Sequence, residues 1–190
     1  NPSELDAMNA FCETYKTFLN EGKTEKFAVR YAVNEAKKHG YRPFEYGKNY
    51  KPGDRIYLTR RDKSAIFAQI GTEPLENGFL LAAAHADNPR LDIKANPLYE
   101  DNSLVYFKTH YYGGILKYQW LTIPLALYGS VYLRDGREVE VRIGDEESDP
   151  VFCISDLLPH LGKDIQAKNV SSAFPAETLN ILCGSAPDTS

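Results

Sequence analysis

Apolar residues recur at spacings of three and four through Leu5, Met8, Phe11, Cys12, Tyr15, Phe18 and Leu19, the stripe of an amphipathic helix. Ser3 suits its N-cap and Gly22 its stop. A second stripe of the same period, Phe27, Ala28, Tyr31, Ala32 and Ala36, opens at Thr24 and closes at His39-Gly40. A histidine at that end suits the negative pole of the helix dipole and needs no further role. After the turn composition Lys51-Pro52-Gly53-Asp54, the runs RIYLTRR and SAIFAQIG predict a hairpin that turns at Asp62-Lys63. The run FLLAAAH, Phe79 to His85, is short and apolar without alternation, the pattern of a strand buried on both faces.

Beyond Asn88-Pro89 the texture changes. SLVYFKTHYY, LTIPLALYGSVYL and EVEVRIG predict strands, separated by Gly113-Gly114 and by Asp135-Gly136, the composition of a type I′ hairpin turn. In the last of these, Val139, Val141 and Ile143 alternate with Glu138, Glu140 and Arg142, as a strand with one wet face requires. DLLPHL, Asp156 to Leu161, predicts a short helix or turn docked on this β unit. The fold class is therefore α/β (α+β). Helices and strands occupy residues 1–88, and residues 89–190 are mostly antiparallel β.

Composition narrows the function classes. A hydrophobic fraction of 43% and a charged fraction of 25% are those of a globular chain, and no apolar run approaches the roughly 20 residues of a membrane helix. The net charge of −4, with Lys and Arg scattered, lacks the basic footprint of a nucleic-acid binder. Cys12, Cys153 and Cys183 have neither an even number nor metal-ligand spacing, so free thiols in a reducing cytoplasm are the simplest reading. The 13 Tyr and 9 Phe against one Trp fit half-buried sheet surfaces and interfaces between subunits.

The candidate chemistry is the His-Ala-Asp that ends the apolar run. A side chain at the C-terminal end of a buried strand emerges into the crevice where open α/β sheets bind ligands, which places His85 there. A neutral imidazole ligates a divalent metal through one nitrogen when the other has an acceptor. Asp87 can be that acceptor or a second ligand, and both remain open from spacing alone. The plain alternative is a strand-end histidine bonded to a backbone carbonyl, with Asp87 opening an Asp-Asn-Pro turn.

Three longer stretches, AAAHADNPRLDIKANPLYED, FKTHYYGGILKYQWLTIPLALYGSV and PVFCISDLLPHL, resemble in order the M18 family of metallo-aminopeptidases, particularly its bacterial members. The resemblance runs from the paired helices to LNILCGS. It implies a catalytic α/β domain holding two zinc ions, of which residues 1–88 are the N-terminal part. It also implies that residues 89–190 are an inserted β-rich domain that dimerises and builds larger, often dodecameric, particles. His85 would be the first zinc ligand, Asp87 the carboxylate that orients it, and His160 a substrate-contacting residue that reaches a neighbouring subunit. The bridging aspartate, the Glu-Glu pair, a further acidic ligand and the last histidine of the family would all follow the inserted domain. These 190 residues are then expected to be inactive alone, with an apolar face and strand edges left uncovered. Glu146-Glu147 reads instead as an exposed acidic turn, and His110 as sheet packing. A non-catalytic assembly subunit and a related M42-type or M20-type peptidase are the competing readings. The preferred N-terminal residue of a peptide substrate, acidic or neutral, is not encoded in these stretches.

Overall fold

In the computed structural model, which describes residues 2–186, the chain divides between Asn88 and Pro89 into two units. The first opens with helix α1, Pro2–Glu21. Pro2 stands in the first turn, where its missing N–H costs nothing, so Ser3 lies inside the helix and not at its cap. Leu5, Met8, Phe11, Tyr15 and Leu19 remain exposed, and only near the C-terminal end does the stripe pack, with Phe18 against Tyr31 at 5.4 Å. Helix α2, Glu25–Lys38, buries Phe27, Ala28 and Val29. The Thr24 hydroxyl accepts the Phe27 N–H at 3.3 Å, a cap worth about 1 kcal/mol. Its other end is a Schellman motif: Tyr41 N–H donates to Ala36 O and Gly40 N–H to Lys37 O, with Gly40 at φ +83°.

Strand β1, Arg42–Pro43, pairs in parallel with β2, Arg55–Arg60, which forms the expected hairpin with β3, Ser64–Gln69. The turn falls at Arg61-Asp62, both at positive φ, as a type I′ turn requires. The sheet order is β1-β2-β3, and the expected third long strand is absent. Residues 78–89 carry no strand, and Leu80 is 100% exposed. An apolar run forms a buried strand only between two partners, and neither edge of this sheet takes it up.

The second unit is built on β4, Arg90–Asp101, and β5, Leu104–Tyr112. β4 is not among the strands expected from the sequence, although Leu91, Ile93 and Ala95 alternate with Arg90, Asp92, Lys94 and Asn96; Asn96-Pro97 has the composition of a turn and interrupts the pattern. A register shift between Ile93 and Leu98 accommodates that composition. Asn102-Ser103, at φ +50° and +63°, makes the tight type I′ turn of this hairpin. By contrast, at Asp135-Gly136 only Gly136 has positive φ, at +86°. Gly136 N–H donates to Leu133 O and Leu133 N–H to Arg137 O, so the connection is a three-residue loop with a bulge and not the expected type I′ turn. It joins β6, Leu127–Tyr132, to β7, Glu138–Ile143. The stretch before β6 is not strand: Thr122 takes φ +60°, and isolated bridges from Leu121 to Ile154 and Leu125 to Phe152 hold it.

Two short helices follow, α3, Lys163–Gln166, and α4, Val170–Ala173, before β8, Ile181–Gly184, closes the order β4-β5-β8. The core of this unit gathers Phe152, Ile154, Ala173 and Leu179. Leu179 is 1% exposed, a burial worth about 1.5–3 kcal/mol, and its carbonyl accepts the buried Thr109 hydroxyl. Among the described residues no helix is long and apolar enough to cross a membrane.

Candidate metal centre

His85 follows the unpaired apolar run, so hydrogen bonds rather than a sheet set its direction. Its Nδ1 lies 2.9 Å from the Asp87 main-chain oxygen and 3.2 Å from Asp87 Oδ1. A carbonyl oxygen only accepts, so the neutral ring carries its proton on Nδ1 and its lone pair on Nε2. The side chain is 82% exposed, and among the described residues no hydrogen bond engages Nε2. Both readings of the sequence are thus present in one contact: a backbone-bonded histidine and a carboxylate brace.

Asn88 then ties this turn down. Its side-chain amide donates to Gly22 O at 3.3 Å and to Lys23 O at 3.0 Å, 66 and 65 residues away in sequence. Sequence reasoning missed this contact; an asparagine before a proline reads as a turn former, and nothing local identifies a distant acceptor.

The other candidates lie apart in kind. His160 sits exposed in a turn closed by Leu161 N–H and Gly162 N–H on Leu158 O, with Gln166 Nε2 donating to Pro159 O. Hydrogen bonds anchor its backbone, and the DLLPHL segment, expected to dock on the β unit, leaves Leu157, Leu158 and Leu161 exposed. His110 is exposed on β5, stacked 5.5 Å from Tyr111, and His39 is the C-cap of α2. Glu146-Glu147 lies in the expected acidic turn, organised by Asp149, whose Oδ2 accepts the N–H groups of Gly144, Asp145 and Glu146. Those donors hold the Asp149 carboxyl below its ordinary range.

One imidazole nitrogen with a braced tautomer suits zinc, but a catalytic zinc takes three protein ligands. Among the described residues no group of three His, Cys, Asp or Glu is placed to hold a metal. His85 therefore fits one position of such a site and does not complete it.

Comparison with known proteins decides the family. Residues 18–185 match the model of the aminopeptidase I zinc metalloprotease (M18) family. The chain belongs to the M18 family. A probable M18 family aminopeptidase 1 of Borrelia garinii subsp. bavariensis is 51% identical over 185 residues, which are 97% of this chain and 40% of that protein. The crystal structure of aminopeptidase I from Borrelia burgdorferi superposes with a TM-score of 0.85 at 43% identity, covering 100% of this chain and 42% of that one. That of the M18 aminopeptidase from Thermotoga maritima gives 0.89 at 39% identity, over 97% and 40%. The mixed α/β architecture is thus that of M18 structures, and the chain spans about 40% of the length of the curated relatives it matches.

Proposed function

We propose that this M18 chain contributes to a zinc-dependent aminopeptidase that releases N-terminal amino acids from peptides. His85 serves as a zinc ligand through Nε2, Asp87 orients it, and His160 contacts substrate. The observation that carries this is the Nδ1 contact with two Asp87 oxygens, which leaves the metal-binding nitrogen exposed. Zinc at such a site, two ions when the site is complete, would supply a Lewis acid for the scissile carbonyl and for a water, with His85 as one of the residues that would hold it. The chain's own part is narrower: Asp87 holds the ring and the Nδ1 proton, and His85 presents a lone pair in one direction. The ligands that complete the site belong to the part of the family's length that these 190 residues do not span.

Residues 1–88 form part of the catalytic domain in this proposal, and residues 89–190 serve as the inserted domain through which a homo-oligomer, a dimer or a dodecamer, assembles in the cytoplasm. Exposed Val131, Tyr132 and Val139 on the β6–β7 hairpin support an interface there. The test is zinc analysis of the native particle followed by aminopeptidase assays with Glu- and Leu-terminal substrates, for wild type and for His85→Ala and His160→Ala. Loss of zinc in the first variant and a raised KM with retained zinc in the second are expected. A native particle that is metal-free and inert would support the assembly-subunit alternative and refute the peptidase.

A further inference from the structure

The turn between α1 and α2 is a fixed point of the first unit. Gly22 is buried, and its N–H donates to Phe18 O at 2.7 Å. A Cβ on Gly22 would come within 2.9 Å of Phe18 O and 3.1 Å of the Phe18 ring, so the turn packs closely on Phe18 and has no room for a side chain there. Thr24 caps α2 immediately after it. The segment that delivers His85 is the opposite case, since residues 78–89 have no strand partner. Asn88 joins the two, and its amide group has a hydrogen for each of the Gly22 and Lys23 carbonyls.

The closer acceptor for His85 Nδ1 is the Asp87 carbonyl, which belongs to the planar peptide unit linking Asp87 to Asn88. Anchoring the Asn88 side chain therefore restrains the Cα end of the peptide unit whose carbonyl meets the histidine ring. We propose that Asn88 is a positioning residue: by tethering the Asp87–Asn88 peptide to the α1–α2 turn, it sets the direction in which His85 presents Nε2. This rests on His85 being a zinc ligand. Asn88 touches no metal and acts through Asp87 and His85.

The test compares Asn88→Asp and Asn88→Ala in the zinc-loaded protein in its native assembly, with His85→Ala in parallel. Aspartate keeps the size and shape of asparagine but loses the donor and turns a negative charge toward two carbonyl oxygens; alanine only deletes the bonds. Zinc affinity is read by competition with a chromophoric chelator, and site geometry by the absorption spectrum of the Co(II)-substituted protein. Expected is a loss of about tenfold for alanine, the low end for outer partners of a metal ligand, a larger loss for aspartate, and an altered Co(II) spectrum in both. A residue that merely fills space gives the reverse order, with aspartate close to wild type, and that order overturns the proposal. Should the aspartate variant not fold, wild-type affinity and spectrum in Asn88→Ala overturn it equally. If His85→Ala keeps wild-type zinc affinity, the assignment of the ligand itself fails; if it loses zinc while both Asn88 variants match wild type, only the tether fails.

Discussion

Replacing Asp87 by alanine separates the two oxygens that brace His85. The closer contact, 2.9 Å, is to a main-chain carbonyl and survives the substitution, whereas the 3.2 Å contact to Oδ1 is deleted. Loss of an outer partner of a metal-bound histidine costs about 10–100-fold in affinity. With the shorter contact retained, the expected loss is about tenfold, or ~1.4 kcal/mol. Asp87→Asn keeps an oxygen able to face Nδ1 and removes only the charge, so its loss is smaller than that of alanine. Chelator competition against zinc at fixed pH reads both. A loss beyond a hundredfold in Asp87→Ala would show that the carboxylate is itself a ligand and refute the bracing role. Wild-type affinity would show that the carbonyl alone holds the ring.

Two further outcomes concern the second unit. Thr109 is 2% exposed and donates to the Leu179 carbonyl, so Thr109→Val leaves a buried acceptor without that donor and costs about 1–3 kcal/mol, whereas Thr109→Ser keeps the bond; equal urea midpoints for wild type and the valine variant would count against this. The Asp149 carboxyl is held below its ordinary value of 3.8 by three backbone N–H donors, so its folded pKa is the lower one. Its contribution is present above 3.8 and lost as pH falls through the folded value, so Asp149→Asn lowers the melting temperature at neutral pH and the difference closes in acid. A difference that persists unchanged into acid contradicts the assignment.

The elements legible in the sequence are those specified by local chemistry. The stop of α2 at His39-Gly40, the Thr24 cap and the hairpin of β2 and β3 need only residues a few positions apart, and all three form, although the hairpin turns at Arg61-Asp62, one residue before the expected Asp62-Lys63. Where the partner is distant, the pattern is silent or points elsewhere. The run Phe79–Ala84 has the composition of a buried strand yet stands exposed, because burial is a property of the whole sheet and not of the run. β4 carries seven charged, amide or proline positions among its 12 residues, and the register shift between Ile93 and Leu98 through which it pairs with β5 is not encoded by its alternation. The turn chemistry shows the same division: Asp135-Gly136 has the better type I′ composition, yet Asn102-Ser103 adopts it, since the strand register decides which loop has two residues to spare.

At the candidate site the chemistry was legible and its support was not. His-Ala-Asp announces an imidazole with a carboxylate two residues away, and the side-chain contact at 3.2 Å is the kind that such spacing permits. The shorter bond is to the Asp87 carbonyl, a group every residue possesses, so no choice of side chain could have signalled it. What makes that carbonyl useful is the orientation of its peptide plane, and the next residue, Asn88, is bonded to a turn 65 residues away. In a loop lacking ladder hydrogen bonds, side-chain contacts such as these resist rotation, each worth about 1 kcal/mol. On the proposed tether, the direction of Nε2 depends on Gly22 and Lys23 as well as on His85, so a motif confined to three residues names the proposed ligand without revealing what would aim it.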